Sequence, residues 1–178
     1  MKVYVNGYGA PKDPLCDGNL DRYLGQVLKY LEAYRDTNVD LFLVGGYTNR
    51  LDMSEAEAMK GWLMNRGLPS NVTIRLIDTT DTARDNMVEF KKRVGDVPVL
   101  IFCEFSRRPT MAFFAWKLFA EATVHGVRFD ERSLRLAHRI KQLTTKLWLE
   151  QLAWHSKTID VLRKWLRKRH VDRARAMS

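Results

Sequence analysis

The feature that most constrains this chain is a repeated unit: a short apolar run, a glycine or polar turn, and then a helix-forming segment. It is clearest at Val39-Asp40-Leu41-Phe42-Leu43-Val44, which ends in Gly45-Gly46. So short and nearly continuous an apolar run, closed by a turn signal, suits a parallel strand covered on both faces. The two glycines allow a sharp turn at the carboxyl end of that strand, the edge where open α/β sheets place their ligands. Ser54 and Glu57 then have capping-box spacing. A helix is therefore expected to start at Met53 to Ser54, with its first N–H groups facing the turn, and to stop at Gly67-Leu68-Pro69.

The unit recurs along the chain. Lys2 to Asn6 reads as a strand closed by Asn6-Gly7-Tyr8-Gly9, and Asp17 or Asn19 can cap a helix with Leu20, Leu24, Val27, Leu28 and Leu31 at helical spacing. Val72 to Ile77 reads as a strand, followed by the polar turn Asp78 to Thr82 and a helix holding Asn86, Met87, Phe90 and Val94. Val97 to Cys103 is the fourth strand, Glu104 to Arg108 the loop after it, and Pro109 suits the first turn of a helix to about Ala120. Thr123 to Phe129 is the candidate fifth strand. Alternation of this kind predicts an α/β fold with a mostly parallel sheet of four to five strands and helices on both faces. Residues 1–130 are expected to form this α/β domain, and residues 131–178 a basic helical extension packed on it, with helices over Leu134 to Trp154 and Thr158 to Arg169.

At 178 residues the chain suits one domain with an ample core. No segment approaches the roughly 20 apolar residues that span a bilayer. The first residues enter a strand without a basic and then apolar leader, so a cytoplasmic location is the expectation. Cys16 and Cys103 are too few and too far apart for a disulfide framework or zinc ribbon, and Cys103 in its apolar strand reads as buried and structural. His125, His138, His155 and His170 lack convergent ligand spacing, so no metal site is expected. There is no Gly-x-Ser-x-Gly elbow, Walker loop or His-Glu-x-x-His.

The net charge of +9 is uneven. Residues 131–178 hold 13 Lys+Arg against 4 Asp+Glu, the whole of the excess, and the first 130 residues carry 17 of each. What the α/β body does and what the tail touches are thus separate questions.

In a parallel sheet all strand carboxyl ends lie on one edge, so four polar loops should converge there: Asn6 to Asp17, Gly45 to Ser54, Asp78 to Asn86 and Glu104 to Arg108. They offer hydroxyls at Thr48, Ser54, Thr80, Thr82 and Ser106, carboxylates at Asp13, Glu55 and Asp85, and guanidiniums at Arg50, Arg107 and Arg108. That mixture suits an anionic, phosphorylated or nucleotide-like ligand. Each candidate also has a plainer reading. Gly7-Tyr8-Gly9 lacks the third glycine of the dinucleotide fingerprint and serves first as a turn. Gly45 and Gly46 are a turn as much as a cradle, Glu55 is also the first-turn acid that a helix dipole favours, and Arg107-Arg108 can be a solvated pair.

Taken in order, these loops resemble the YdcF/SanA/ElyC-like family of bacterial α/β proteins, a domain of unknown function. The resemblance covers roughly residues 2–129. It rests on Gly45-Gly46 after a strand, Arg50, the segment Ser54-Glu55-Ala56-Glu57-Ala58-Met59 with Leu63 and Gly67-Leu68-Pro69, then Thr80-Asp81-Thr82 with Asn86, and a strand followed by Ser106-Arg107-Arg108. It implies a Rossmann-like fold and a site using Gly45, Gly46, Arg50, Ser54, Glu55, Thr82 and Asn86. Members resemble nucleotide or S-adenosylmethionine binders, and some are linked to cell-envelope processes. This chain departs from the pattern twice. Three residues rather than two separate Thr82 from Asn86, and the family's His after the fourth strand has no counterpart, Ser106 or Arg107 lying near its place.

The function expected is binding of a phosphorylated or nucleotide-type small molecule at the strand carboxyl edge, with hydrolase or transferase chemistry open to it. Gly7, Gly9, Gly45 and Gly46 would allow close backbone approach, Ser54, Thr82, Asn86 and Ser106 would line the site, Arg50 and Arg108 would hold negative charge, and Glu55 would be the general base. A competing expectation is a nucleic-acid or anionic membrane-surface adaptor acting through residues 157–175, where Arg163-Lys164-Trp165-Leu166-Arg167-Lys168-Arg169-His170 interleaves aromatic and basic residues. The plainer and preferred reading of the tail packs Ile159, Leu162, Trp165 and Leu166 on the body and leaves the charges in water. A homo-oligomer interface on Leu136, Ile140, Leu143, Leu147 and Trp154 is a third expectation.

Overall fold

The computed structural model describes residues 1–7, 13–47, 53–79, 82–129 and 147–165. Strands β1 (Lys2–Asn6), β2 (Val39–Val44), β3 (Val72–Ile77), β4 (Val99–Glu104) and β5 (Ala122–Val127) form one sheet in the order β3-β2-β1-β4-β5. Every pairing is parallel. Helices α1 (Gly18–Glu32), α2 (Glu55–Arg66), α3 (Ala83–Val94) and α4 (Arg108–Leu118) alternate with the strands. This is the Rossmann-like α/β arrangement that the alternation of runs and turns predicts.

Both faces of the sheet are covered, as a buried parallel sheet requires. On one face Val3, Val5, Leu41 and Leu43 pack with Leu20, Leu24 and Val27 of α1 and Met59, Trp62 and Leu63 of α2. On the other, Tyr4, Phe42, Ile101 and Cys103 pack with Met87 and Phe90 of α3 and Met111, Phe114 and Ala115 of α4. The outer strands β3 and β5 alternate between partly buried and exposed residues. Next to the outer strand β3, a guanidinium nitrogen of Arg93 donates to the Leu76 carbonyl at 2.9 Å, the kind of charged cover that keeps an outer strand from pairing with another chain.

The helix starts follow local chemistry. Asp17 accepts from the Leu20 N–H at 2.7 Å. Ser54 Oγ accepts from the Glu57 N–H at 3.1 Å while Glu57 Oε2 accepts from the Ser54 N–H at 2.8 Å, a complete capping box. Thr82 Oγ1 accepts from the Asp85 N–H at 3.0 Å. Gly67 and Gly95 end α2 and α3 with φ of 85° and 74°, the left-handed region where a side chain is strained.

The C-terminal part differs from the preferred reading of its sequence. Helix α5 (Leu147–His155) is followed by a helical run over 157–165. Trp154 sits against Phe113 and Phe114 of α4, with ring centroids 6.0 Å from each. The inward side of the helical run is charged. Arg163 is 5% exposed and bonds Glu150 and Asp160, and Asp160 also accepts from Arg84 of α3 at 2.9 Å. Leu162 and Trp165, expected to pack inward, are about half exposed, at 50% and 49%. The physical reason is pairing: partly buried Arg84 and buried Glu150 are matched by Asp160 and Arg163, and an unmatched buried charge costs far more than an exposed leucine. Leu136, Ile140, Leu143, Leu166 and residues 167–178 lie outside the described residues. Among the described residues no helix is long and apolar enough to cross a membrane.

Burial alone would raise the Asp160 carboxyl, but Arg163, Arg84 and Lys164 together hold it below its ordinary 3.8. A depressed carboxyl stabilises the fold above its unfolded value, and that contribution disappears as the pH falls below it. Asp160→Asn is expected to cost about 1–3 kcal/mol in urea unfolding at neutral pH. The wild-type advantage over this variant should shrink as the pH drops below 3.8.

Candidate functional site

The strand order places the reversal of the sheet between β1 and β4. The chain passes from β1 through β2 to β3, then returns across the sheet to lay β4 on the other side of β1. Connections on the two sides leave toward opposite faces, which opens a crevice at the carboxyl ends of these two strands. The register shows the opening. β1 and β4 pair only as far as Val5↔Phe102, whereas β1 and β2 continue to Asn6↔Val44 and β4 and β5 to Glu104↔Val127.

Polar groups fill this split. The Tyr23 hydroxyl of α1 lies 2.9 Å from both the Asn6 and the Phe102 carbonyl oxygens, tying the separated ends. Burial pushes the Tyr23 phenol well above its ordinary range, so it stays a neutral donor. The Tyr4 hydroxyl donates to Asn6 Oδ1 at 3.2 Å, and Asn6 Nδ2 donates to the Gly7 carbonyl at 2.8 Å. Nearby Cys103 is buried, and desolvation raises its thiol to about 12, which makes it an unreactive filler as its strand position suggests.

Helix α2 closes on the ends of β1 and β2. The Glu55 N–H donates to the Gly46 carbonyl at 3.1 Å and the Ala56 N–H to the Gly45 carbonyl at 3.2 Å, while Ser54 Oγ takes the Glu57 N–H. The first three N–H groups of α2 do face the turn, and they are spent on the turn itself and on Ser54. What α2 presents at the edge is therefore its side chain. A Cβ at Gly7 would stand 2.0 Å from Glu55 Oε2 and 2.8 Å from the Val44 carbonyl; one at Gly45 would stand 2.7 Å from both Glu55 Cβ and Glu55 Oε2. Neither distance is tolerable, so the two glycines leave the room that the buried Glu55 carboxylate occupies.

The other side of the crevice comes from β4 and the short 3-10 helix after it (Phe105–Arg107). Glu104 ends an apolar strand and is buried. The Ser106 hydroxyl donates to its Oε1, and Arg107 Nε lies 3.5 Å from its Oε2. A terminal nitrogen of Arg107 reaches across the split and donates to the Gly7 carbonyl at 2.7 Å. Among the described residues, buried Glu104 pairs with Arg107, and buried Glu55 lies against the same Gly7 whose carbonyl Arg107 bonds. Such an edge can accept hydrogen bonds from ligand hydroxyl or amine groups, take up a proton, and hold one negative charge beside Arg107.

Of the residues that the sequence assigned to a site, the structure brings Gly7, Gly45, Gly46, Ser54 and Glu55 together at the ends of β1 and β2, and Ser106 beside Glu104. Thr82 and Asn86 are buried in the first turn of α3, after the carboxyl end of β3, where Thr82 is the cap. Arg108 is exposed and opens α4. Gly9 and Arg50 lie outside the described residues. Sequence reasoning did not single out Asn6, Tyr23 or Glu104 for the site, and it named Arg107 among the loop guanidiniums but gave the charge-holding role to Arg50 and Arg108. A signal existed for two of them, since Asn6 and Glu104 are lone polar residues closing apolar strands; nothing local distinguishes Tyr23, or Arg107 from Arg108.

No family model, curated protein or solved structure matches this chain.

Gly7→Ala and Gly45→Ala should each destabilise the fold by about 1–3 kcal/mol, the range for overfilling a packed site. Gly61→Ala, at an α2 position where a Cβ meets nothing within 4 Å, should instead stabilise by about 0.4–1 kcal/mol. Denaturant midpoints of the three variants test the contrast.

Proposed function

We propose that this chain is a YdcF-like protein of the cytoplasm that binds a phosphorylated or nucleotide-type small molecule at the carboxyl edge of its sheet. The reading rests on one observation above the others: the buried Glu55 carboxylate is held over Gly7 and Gly45, at the point where β1 and β4 part. Two glycines kept clear for a carboxylate at the reversal of an α/β sheet suit a ligand-facing group. In this proposal Glu55 accepts a hydrogen bond from a hydroxyl of the ligand and serves as general base where the bound molecule undergoes hydrolysis or group transfer. Arg107 supplies positive charge at this edge, since it spans the split from Glu104 to the Gly7 carbonyl. Arg50 and Arg108 hold the remaining negative charge of the ligand, as the family resemblance and the loop order suggest. An S-adenosylmethionine-like molecule is the nucleotide-type ligand that the family resemblance suggests.

The test is a thermal-shift series on the intact chain with nucleotides, sugar phosphates and S-adenosylmethionine, because a ligand that binds only the native state raises its apparent stability. A saturable rise with one class is expected. Glu55→Gln should weaken that ligand at least about tenfold, or roughly 1.4 kcal/mol. Arg107→Ala should weaken a phosphorylated ligand by about 1.5–3 kcal/mol, the range for a hydrogen bond to a charged group. No rise with any class, or a rise that Glu55→Gln leaves unchanged, overturns the assignment.

A further inference from the structure

The C-terminal helices bury charged side chains and leave large apolar ones in water. Helix α5 turns Glu150 and Ala153 inward and leaves Trp148 65% exposed; Leu152, one turn on, is exposed beside it. Successive residues of a helix are 100° apart, so Trp148 and Leu152 stand on the side opposite Glu150. The helical run over 157–165 repeats the pattern, with Asp160 and Arg163 bonded inward and Val161 and Leu162 exposed. Water-facing helices normally do the reverse. Exposed apolar side chains in this density mark a surface made to be covered.

We propose that this outer surface docks on an anionic lipid bilayer, with its apolar side chains entering the headgroup boundary and the basic residues around them meeting lipid phosphates. Charge chooses the occupant. All of the +9 excess lies in residues 131–178, and exposed Lys157 shares its helical run with Val161 and Leu162, while Lys164 there is paired with Asp85 and Asp160. A second copy of the chain carries the same net charge of +9, which opposes a dimer and favours an anionic partner. Nucleic acid is also anionic and Trp148 offers it a stacking surface, but it would leave the aliphatic Leu152, Val161 and Leu162 uncovered, which the acyl boundary of a bilayer takes up. Tryptophan, aliphatic and lysine or arginine side chains on one helical element match the boundary between headgroups and acyl chains. Trp116 on α4, with Lys117 Nζ 4.1 Å from its ring centroid, adds an exposed aromatic and basic pair on the helix that Trp154 packs against.

Co-sedimentation of the full chain with vesicles tests this. Binding is expected to vesicles of phosphatidylcholine with phosphatidylglycerol, little to phosphatidylcholine alone, and less as salt rises. Leu152→Gln with Leu162→Gln should weaken binding by roughly tenfold or more. The thermal midpoint should not move, because both side chains are exposed. Glu55→Gln should bind vesicles like the wild type, so this result is independent of the small-molecule site. Four outcomes overturn the proposal. One is vesicle binding that ignores the two substitutions, and another is no vesicle binding at all. The third is a concentration-dependent dimer that the substitutions dissolve while vesicles are ignored. The fourth is salt-sensitive binding of a short oligonucleotide in place of vesicles.

Discussion

The first turn of α2 rests directly on the ends of β1 and β2, and the chemistry of the carboxyl edge depends on that contact. Gly7 N–H donates to the Val44 carbonyl at 2.6 Å, Gly45 N–H to the Ile77 carbonyl at 2.9 Å, and the first two amides of α2 donate to Gly46 and Gly45. These backbone groups at the ends of β1, β2 and β3 are satisfied within the fold, as buried groups must be. Recognition there falls to side chains. Only residues without a Cβ at positions 7 and 45 permit the approach, so the glycines act through the space they leave for Glu55 more than through turn geometry.

Across the split, Glu104, Ser106 and Arg107 form a second polar group that is joined to the first through the Gly7 carbonyl. In a medium of low dielectric such a network is rigid when its members are matched and costly when they are not. Tyr23 extends it to α1, so four separate parts of the chain meet where two strands separate. The C-terminal helices use the same device on the other face: Glu150, Asp160 and Arg163 reach Arg84 at the start of α3. Charge pairing, more than apolar packing, fixes where the helical run over 157–165 lies, and that choice turns Leu162 and Val161 outward.

Much of the fold was legible because its signals are local. Val39 to Val44 with two glycines marks a buried strand, and Ser54 with Glu57 marks a helix start to within a residue or two, the cap at Ser54 and the first helical residue at Glu55. The fourth strand begins at Val99 rather than Val97 and the fifth runs Ala122–Val127 rather than Thr123 to Phe129. Apolar composition does not say where a ladder starts or ends, and Phe129 belongs to the core without belonging to the strand. The site was legible only in part. Loop order predicted convergence at one edge, but whether Arg107 or Arg108 turns inward depends on a single 3-10 turn, and the role of Tyr23 depends on a helix 79 residues from one of its partners. The tail was legible in part: Ile159 is partly buried as expected, but Leu162 and Trp165 are half exposed because Asp160 and Arg163 find charged partners on α3 and α5.

The position of β1 also sets an order of events during synthesis. Of the five strands the central one is made first, yet Lys2 pairs with Asp40 on one side and with Val99 on the other. The first neighbour is soon available, while the second requires β2, β3 and their helices to be made first. Contacts so far apart in sequence slow folding, because a long loop must close before they can form. Until β4 arrives, the nascent β3-β2-β1 half presents an unpaired apolar edge along Val3, Tyr4 and Val5, the kind of edge that other chains can join. The same insertion that later divides the sheet at Val5↔Phe102 is thus the last step of assembling its middle, and it makes the carboxyl-edge crevice a late product of folding.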